Sequence, residues 1–195
     1  MIFILPILAY LAGSVSSAVI VSKIMGLPDP RLSGSNNPGA TNVLRIGGKK
    51  AAGITLIADM LKGLIPVLLA KMLSDSSVTI ALVGLAAFLG HLYPIFFGFK
   101  GGKGVATAAG VFIGISGIAT LLMFVVWCIT AFFSRHSSLA ALVAALTAPF
   151  LMLFFLPGLS FFVLACVIAG FLFWRHRENI SRLAKGEESK IKLSS

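Results

Sequence analysis

Val105 to Phe133 reads VATAAGVFIGISGIATLLMFVVWCITAFF, about thirty apolar residues with a small break at Ser116-Gly117. The run is long for one membrane pass of roughly 20 residues and short for two. Charge decides its crossing number. Lys and Arg number four in the loop Met25 to Lys50, two in Gly98 to Gly104, one in Ser134 to Ser138 and six in the tail after Trp174. All thirteen are expected in the cytoplasm. The first apolar run, residues 1 to about 24, has no basic start and carries Lys23 at its far end, so it reads as a retained helix with its N-terminus outside. The next runs, Ala51 to Lys71 and Val78 to Phe97, are joined by LSDSS and bring the glycines after Phe97 back inside. Val105 to Phe133 must then cross an even number of times to return Arg135 inside. Two short or tilted helices turning near Ser116-Gly117 satisfy this. A single crossing would strand the six tail cations outside. Leu139 to Leu156 and Leu159 to Trp174, split by Pro157-Gly158, complete an all-α polytopic membrane protein of seven helices with a cytoplasmic C-terminus.

Composition supports this class. Of the 195 residues 58% are hydrophobic and 11% charged, against about a quarter charged in soluble domains, and the mean hydropathy is +1.02. One membrane-embedded domain over residues 1–195 leaves no room for a separate soluble one. The net charge of +10 reports cytoplasmic loops and anionic lipid or substrate rather than nucleic acid. Cys128 and Cys166 lie inside apolar runs and read as buried small hydrophobes, not a disulfide or metal pair.

Function must then come from the loops and helix ends, and four polar clusters are expected at one face. In Phe97 to Thr107, FGFKGGKGVAT, the glycines turn backbone N–H groups toward an anion while Lys100 and Lys103 add charge. A helix starting at Val105 would add its N-terminal N–H groups. This is not a P-loop: Phe97 stands where the first Gly belongs and Gly104 where Ser or Thr belongs. A turn holding lipid headgroups and a phosphate site both fit. Upstream, Ser33, Ser35, Asn36, Asn37, Thr41 and Asn42 with Gly34, Gly39 and Arg45 form a dense polar loop, read as a binding loop rather than a linker. Ser137-Ser138 fits a helix N-cap or a ligand contact. In the tail, His176, Asn179 and Arg182 fall at i, i+3 and i+6, sharing one side if the helix continues from Trp174. His176 suits proton transfer near neutral pH, and the same stretch also reads as a stop-transfer cluster. Glu188 is available to pair with a nearby cation and tie down the tail.

Inside the membrane, Asp59 and Lys62 share a face of the second long helix and read as a pair that neutralises itself while bracing the bundle. His91, just before Pro94, reads as a packing residue. There is no His/Cys metal spacing, nucleophile elbow or internal repeat.

Three stretches, Ser33 to Arg45 (SGSNNPGATNVLR), Gly98 to Thr107 (GFKGGKGVAT) and Arg175 to Glu188 (RHRENISRLAKGEE), resemble the three signature motifs of the bacterial acyl-phosphate:glycerol-3-phosphate acyltransferases, the PlsY type. The likeness covers essentially the whole chain. It implies a seven-helix inner-membrane enzyme whose site faces the cytoplasm. That enzyme moves a fatty acyl group from acyl phosphate to the sn-1 hydroxyl of glycerol 3-phosphate, giving lysophosphatidic acid and phosphate for phospholipid synthesis. By the same resemblance Ser35, Arg45, Lys103, His176 and Asn179 are catalytic, and Asn37, Gly39, Thr41, Asn42, Gly102, Gly104, Thr107 and Ser138 bind substrate. Glu188 is structural, and no metal or cofactor is implied. The partners implied are the two substrates and membrane lipid; whether an acyl-phosphate-producing enzyme docks on the cytoplasmic face is left open. One departure is Asn36, where the family usually has Gly; Asn tolerates left-handed backbone better than most residues.

The chemistry fits a single displacement. An acyl phosphate is already activated, so Arg45, Lys103 and loop N–H groups need only hold two anions and stabilise developing charge. The hydroxyl proton can pass to His176 or to a substrate phosphate oxygen. Ser35 reads as a donor rather than a nucleophile. A transporter for a phosphorylated metabolite would place polar features on both faces. An acyltransferase using coenzyme A thioesters would carry His-x4-Asp, but Ser181 and Phe96 stand where that Asp belongs.

Overall fold

A computed structural model describes residues 3–191. Met1-Ile2 of the first apolar run and Lys192 of the basic tail lie outside them. Within the described residues there is no strand. The helices are α1 (Ile4–Gly13), α2 (Ser17–Ile24), α3 (Ala40–Leu73), α4 (Ser77–Leu92), α5 (Val105–Ile115), α6 (Gly117–Ser134), α7 (Ser137–Phe155), α8 (Ser160–Arg175) and α9 (Arg177–Ala184). Five segments are long and apolar enough to cross a membrane: Ile4–Ile24, Ala40–Leu73, Ser77–Phe97, Gly117–Ser134 and Ser137–Phe155. The pair α8–α9, bent by 59°, passes the same test only when its two helices are taken together as one span, and α5 is apolar but only 11 residues long. The protein is thus an all-helical, multi-pass membrane protein.

Contacts divide it into two compact units, Met1–Ile115 and Ser116–Ser195. The boundary falls at the break expected from sequence. Ser116 is extended, and its Oγ accepts from the Ala119 N–H at 3.3 Å to cap α6. So Val105 to Phe133 does form two helices.

In the first unit α3 packs on α5, α4, α2 and α1, and α1 packs on α4. The seams are built from small residues, because lipid gives helices little hydrophobic reason to associate and close approach must supply the attraction. Gly63 of α3 lies against the Thr107 carbonyl of α5, and Gly110 of α5 against the Met60 carbonyl; Gly13 of α1 and Gly90 of α4 meet the Ala87 and Tyr10 carbonyls. Behind them Val43, Val67, Val83, Phe88, Leu92 and Val111 are fully buried. Lys71 Nζ donates to the Gly114 carbonyl at 3.1 Å, neutralising the C-terminal end of α5. Gly48 (φ 76°, ψ −176°) breaks α3. The stretch read as one loop from Met25 to Lys50 is therefore helical from Ala40, with a short amphipathic piece ahead of the apolar helix.

In the second unit α7 packs on α6 and α8 through Ala140, Ala145, Ala148 and Met152. Outward residues such as Phe132, Phe150 and Phe154 are exposed, as lipid-facing side chains should be. Cys128 and Cys166 correct the expectation of buried thiols. Both are free and exposed, because an apolar environment here is supplied by lipid as well as by protein.

Candidate functional site

In the first unit the Ser33–Arg45 loop is held from its ends. Asp29 accepts from Arg31 Nε at 3.0 Å and from Arg31 Nη2 at 2.7 Å, and the Arg31 guanidinium lies 6.0 Å from the Phe97 ring centroid. Those hydrogen bonds hold the Asp29 carboxyl below its usual range. Asn42, 1% exposed, is the hub of the loop. Its Oδ1 accepts from the Ser35 N–H at 2.8 Å, and its Nδ2 donates to the Pro30 and Ser33 carbonyls, each at 2.9 Å. The amide expected to bind substrate is spent on the loop's own backbone. Around this hub Ser35, Thr41 and Arg45 are exposed, and Asn37 and Gly39 are half-buried. Thr41 and Arg45, four apart on the first turns of α3, share a face, and Gly39 starts the helix without a side-chain cap. Asn36 has φ 54°, so the position where the family usually carries Gly does require the left-handed conformation that Asn accepts.

The glycine stretch comes next in the same unit. A short 3-10 turn, Ile95–Phe97, ends in Gly98 at φ 65°. Gly101, Gly102 and Gly104 are buried, Lys103 half-buried and Lys100 exposed. Gly104 has φ 93°, and a side chain there would meet the Phe88 ring, so this position admits only glycine without strain. Helix α5 begins at Val105, as the anion-cradle reading requires, and its first N–H groups follow the loop. Gly102 packs so closely that an added Cβ would lie 3.0 Å from the Pro38 carbonyl oxygen. The first and second motifs are therefore neighbours, which nothing in their separation along the chain indicated. Thr107 is fully buried on the α5 face toward Gly63.

The second unit holds the remaining residues. Ser137-Ser138 caps nothing: His136 stands at the N-cap without a side-chain bond, and Ser138 Oγ donates to Glu188 Oε1 at 2.8 Å. The serines fall one position late, inside the first turn. Nor does the tail continue as one helix from Trp174. The axis bends by 59° at His176, where apolar α8 gives way to α9, whose charged residues cannot follow it into lipid. His176, 4% exposed, sits in the bend with Nδ1 2.8 Å from the Leu172 carbonyl. A carbonyl only accepts, so Nδ1 carries a proton, which in the neutral tautomer leaves the ring's lone pair on Nε2. The three residues expected on one helix face are thus split. Asn179 and Arg182 do share a face of α9, donating to Glu188 at 2.6 Å and 2.7 Å. Burial alone would raise the Glu188 carboxyl, but the hydrogen bonds from Asn179, Ser138 and Arg182 outweigh it and lower the pKa. The Ile191 N–H donates to the Arg135 carbonyl at 2.7 Å, completing the strap. Sequence reasoning foresaw a Glu188 ion pair but not that one carboxylate would gather Ser138, Asn179 and Arg182.

Among the described residues no group of His, Cys, Asp and Glu has the arrangement of a metal site. The arrangement offers backbone and cationic donors for phosphate in one unit, and a buried imidazole with oriented hydroxyl and amide groups in the other.

A family model described as glycerol-3-phosphate acyltransferase matches residues 3–186. Among curated relatives, a glycerol-3-phosphate acyltransferase of Thioalkalivibrio sulfidiphilus (strain HL-EbGR7) is 56% identical over 184 residues, covering 94% of this chain and 90% of the relative. One from Neisseria meningitidis serogroup C is 54% identical over 187 residues, covering 94% of each. The crystal structure of PlsY (YgiH), an integral membrane glycerol 3-phosphate acyltransferase, matches in its glycerol 3-phosphate form with a TM-score of 0.93 and 41% identity, covering 98% of this chain and 96% of that one. Its lysophosphatidic acid form matches with a TM-score of 0.90 at 41% identity, covering 97% and 94%. Since the family model matches residues 3–186 and relatives more than half identical share nearly their whole length, the chain belongs to the glycerol-3-phosphate acyltransferase family.

Proposed function

We propose that the protein transfers a fatty acyl group from acyl phosphate to the sn-1 hydroxyl of glycerol 3-phosphate, releasing phosphate and forming lysophosphatidic acid. The observation that carries this reading is the anion cradle of the first unit: buried Gly102 and Gly104 flank Lys103 at the start of α5, with the Pro38 carbonyl of the first motif against Gly102. A donor and an acceptor that both bear phosphate need such a cradle. The solved relatives bound to glycerol 3-phosphate and to lysophosphatidic acid support the same acceptor and product.

The step is a single displacement. The sn-1 hydroxyl oxygen attacks the acyl carbonyl carbon, the new C–O ester bond forms, and the anhydride C–O bond breaks with its electron pair leaving on phosphate. Arg45, Lys103 and loop N–H groups hold the phosphates and stabilise the charge that develops. Ser35, with Asn37, Gly39 and Thr41 beside it, donates hydrogen bonds to substrate oxygens and forms no acyl intermediate. Asn42 acts on substrate through the loop it ties together, and Thr107 by packing the first turn of α5 against α3. The hydroxyl proton passes to His176 Nε2, the lone-pair nitrogen set by the Nδ1 contact with Leu172. Asn179 and Ser138 are oriented by Glu188. The reaction takes place at the cytoplasmic face of the bacterial inner membrane, in a single seven-pass domain. An enzyme that makes acyl phosphate is the partner such a face would receive.

The test is transfer by the purified, detergent-solubilised protein, supplied with glycerol 3-phosphate and either palmitoyl phosphate or palmitoyl-CoA. Lysophosphatidic acid from the acyl phosphate is the expected product. Product from the thioester alone would overturn the donor, and loss of glycerol 3-phosphate acylation altogether would overturn the reading.

A further inference from the structure

Three ionisable side chains that belong to none of the motifs lie inside the first unit. Asp59 is 2% exposed and His91 6% exposed, and the Lys62 side chain is 9% exposed. Lys62 Nζ lies 2.8 Å from Asp59 Oδ1 and donates to the Val15 carbonyl at 2.8 Å, across the break between α1 and α2. The expected self-neutralising brace is therefore present. It does not account for the imidazole. His91 Nδ1 stands 3.5 Å from the same Asp59 oxygen, so a third ionisable group on another helix joins a pair that is already neutral.

The other edge of the ring faces the phosphate loop. A Cβ on Gly102 would overlap His91 Nε2, lie 2.9 Å from Cε1 and lie 3.0 Å from the Pro38 carbonyl. Gly101 is packed just as closely on the His91 and Leu92 carbonyls at the end of α4. The imidazole and the Pro38 carbonyl of the first motif thus close together over the side of Gly102 that a side chain would occupy. An apolar side chain could fill the space under the loop, but it would lack the pull of the Asp59 carboxylate, whose Oδ1 lies 3.5 Å from Nδ1 and biases how the ring is turned.

We propose that His91, turned by the Asp59–Lys62 pair beside it, is a positioning residue that fills, together with the Pro38 carbonyl, the space where a Gly102 side chain would stand and thereby sets the shape of the phosphate-binding loop. It acts through the loop and does not touch substrate. The proposal rests on the acyltransferase reading for the identity of the ligand, but its geometric content is independent of the reaction.

The experiment compares wild type, His91→Leu and His91→Gln by two readouts: amide hydrogen exchange across Lys100–Val105, and the kinetics of glycerol 3-phosphate acylation. Gln places an amide near the position of Nε2. In His91→Leu, loop exchange is expected to rise about tenfold and KM for glycerol 3-phosphate about tenfold, with kcat within about threefold of wild type. His91→Gln is expected to restore both to within about threefold. A His91→Leu protein that melts earlier yet keeps wild-type loop exchange and KM would reduce His91 to packing and overturn the proposal. Equal damage from Leu and Gln would also overturn it. If wild type proves inactive on glycerol 3-phosphate while the exchange pattern holds, the reaction falls and the positioning role stands. Should His91→Leu fail to fold, Gly102→Ala, which pushes on the same contact from the loop side, must raise loop exchange and KM alike; an unchanged loop there overturns the proposal.

Discussion

Replacing Asn42 by Ala removes three hydrogen bonds from the centre of the first motif: one from the Ser35 N–H at 2.8 Å and one each to the Pro30 and Ser33 carbonyls at 2.9 Å. At roughly 1 kcal/mol net apiece the sum is about 3 kcal/mol. Ser35 is exposed and Ser33 half-buried, so water recovers part of that at the rim, leaving about 2–3 kcal/mol. The ordered loop should therefore lose about 30- to 150-fold in population against its opened forms, at 1.4 kcal/mol per factor of ten. Asn42→Asp should do no better. It keeps an acceptor for Ser35 but turns a carboxylate oxygen toward two carbonyl oxygens. The assay is kcat/KM for glycerol 3-phosphate acylation together with amide exchange over Ser33–Asn37. Both variants are expected to lose activity and to exchange faster there. A residue that only contacts substrate would leave exchange of the ligand-free loop unchanged. Wild-type exchange in Asn42→Ala, or kcat/KM within twofold, would refute the scaffold role.

Two glycines make a matched pair. Gly98 (φ 65°) has nothing within 4 Å of an added Cβ, whereas Gly104 (φ 93°) would drive it into Phe88 and to 2.7 Å from Leu92 Cδ1. Gly98→Ala should cost only the left-handed penalty of about 1–2 kcal/mol, and Gly104→Ala should lose far more activity; equal effects in the transfer assay would refute the contact argument. The Glu188 strap should respond to acid. Its folded pKa is lowered, so its stabilisation is complete above the ordinary carboxyl value of 4.5 and is lost as pH falls through the lower folded value. Wild type should melt above Glu188→Gln at pH 7 and converge with it as the pH falls through the lowered folded value; a gap that stays constant would refute the clamp.

Sequence by itself determined the membrane class and the break inside Val105–Phe133. Each depends on local quantities: apolar run length, the count of cations between runs, and a Ser-Gly pair able to stop one helix and cap the next. The glycine loop was legible because positive φ and close approach leave their mark as residue type, and Asn36 carries the same mark in weaker form. What only the tertiary structure decided are the contacts between distant segments. Ser138 meets Glu188 fifty residues away, Pro38 and His91 both close on Gly102, and Asn42 turns inward to hold its own loop rather than outward. The bend at His176 belongs here too, since spacing alone made His176, Asn179 and Arg182 one face. A one-dimensional pattern fixes which surface of a helix is apolar. Which partner that surface finds, and so which polar groups are already spent when substrate arrives, is set by packing.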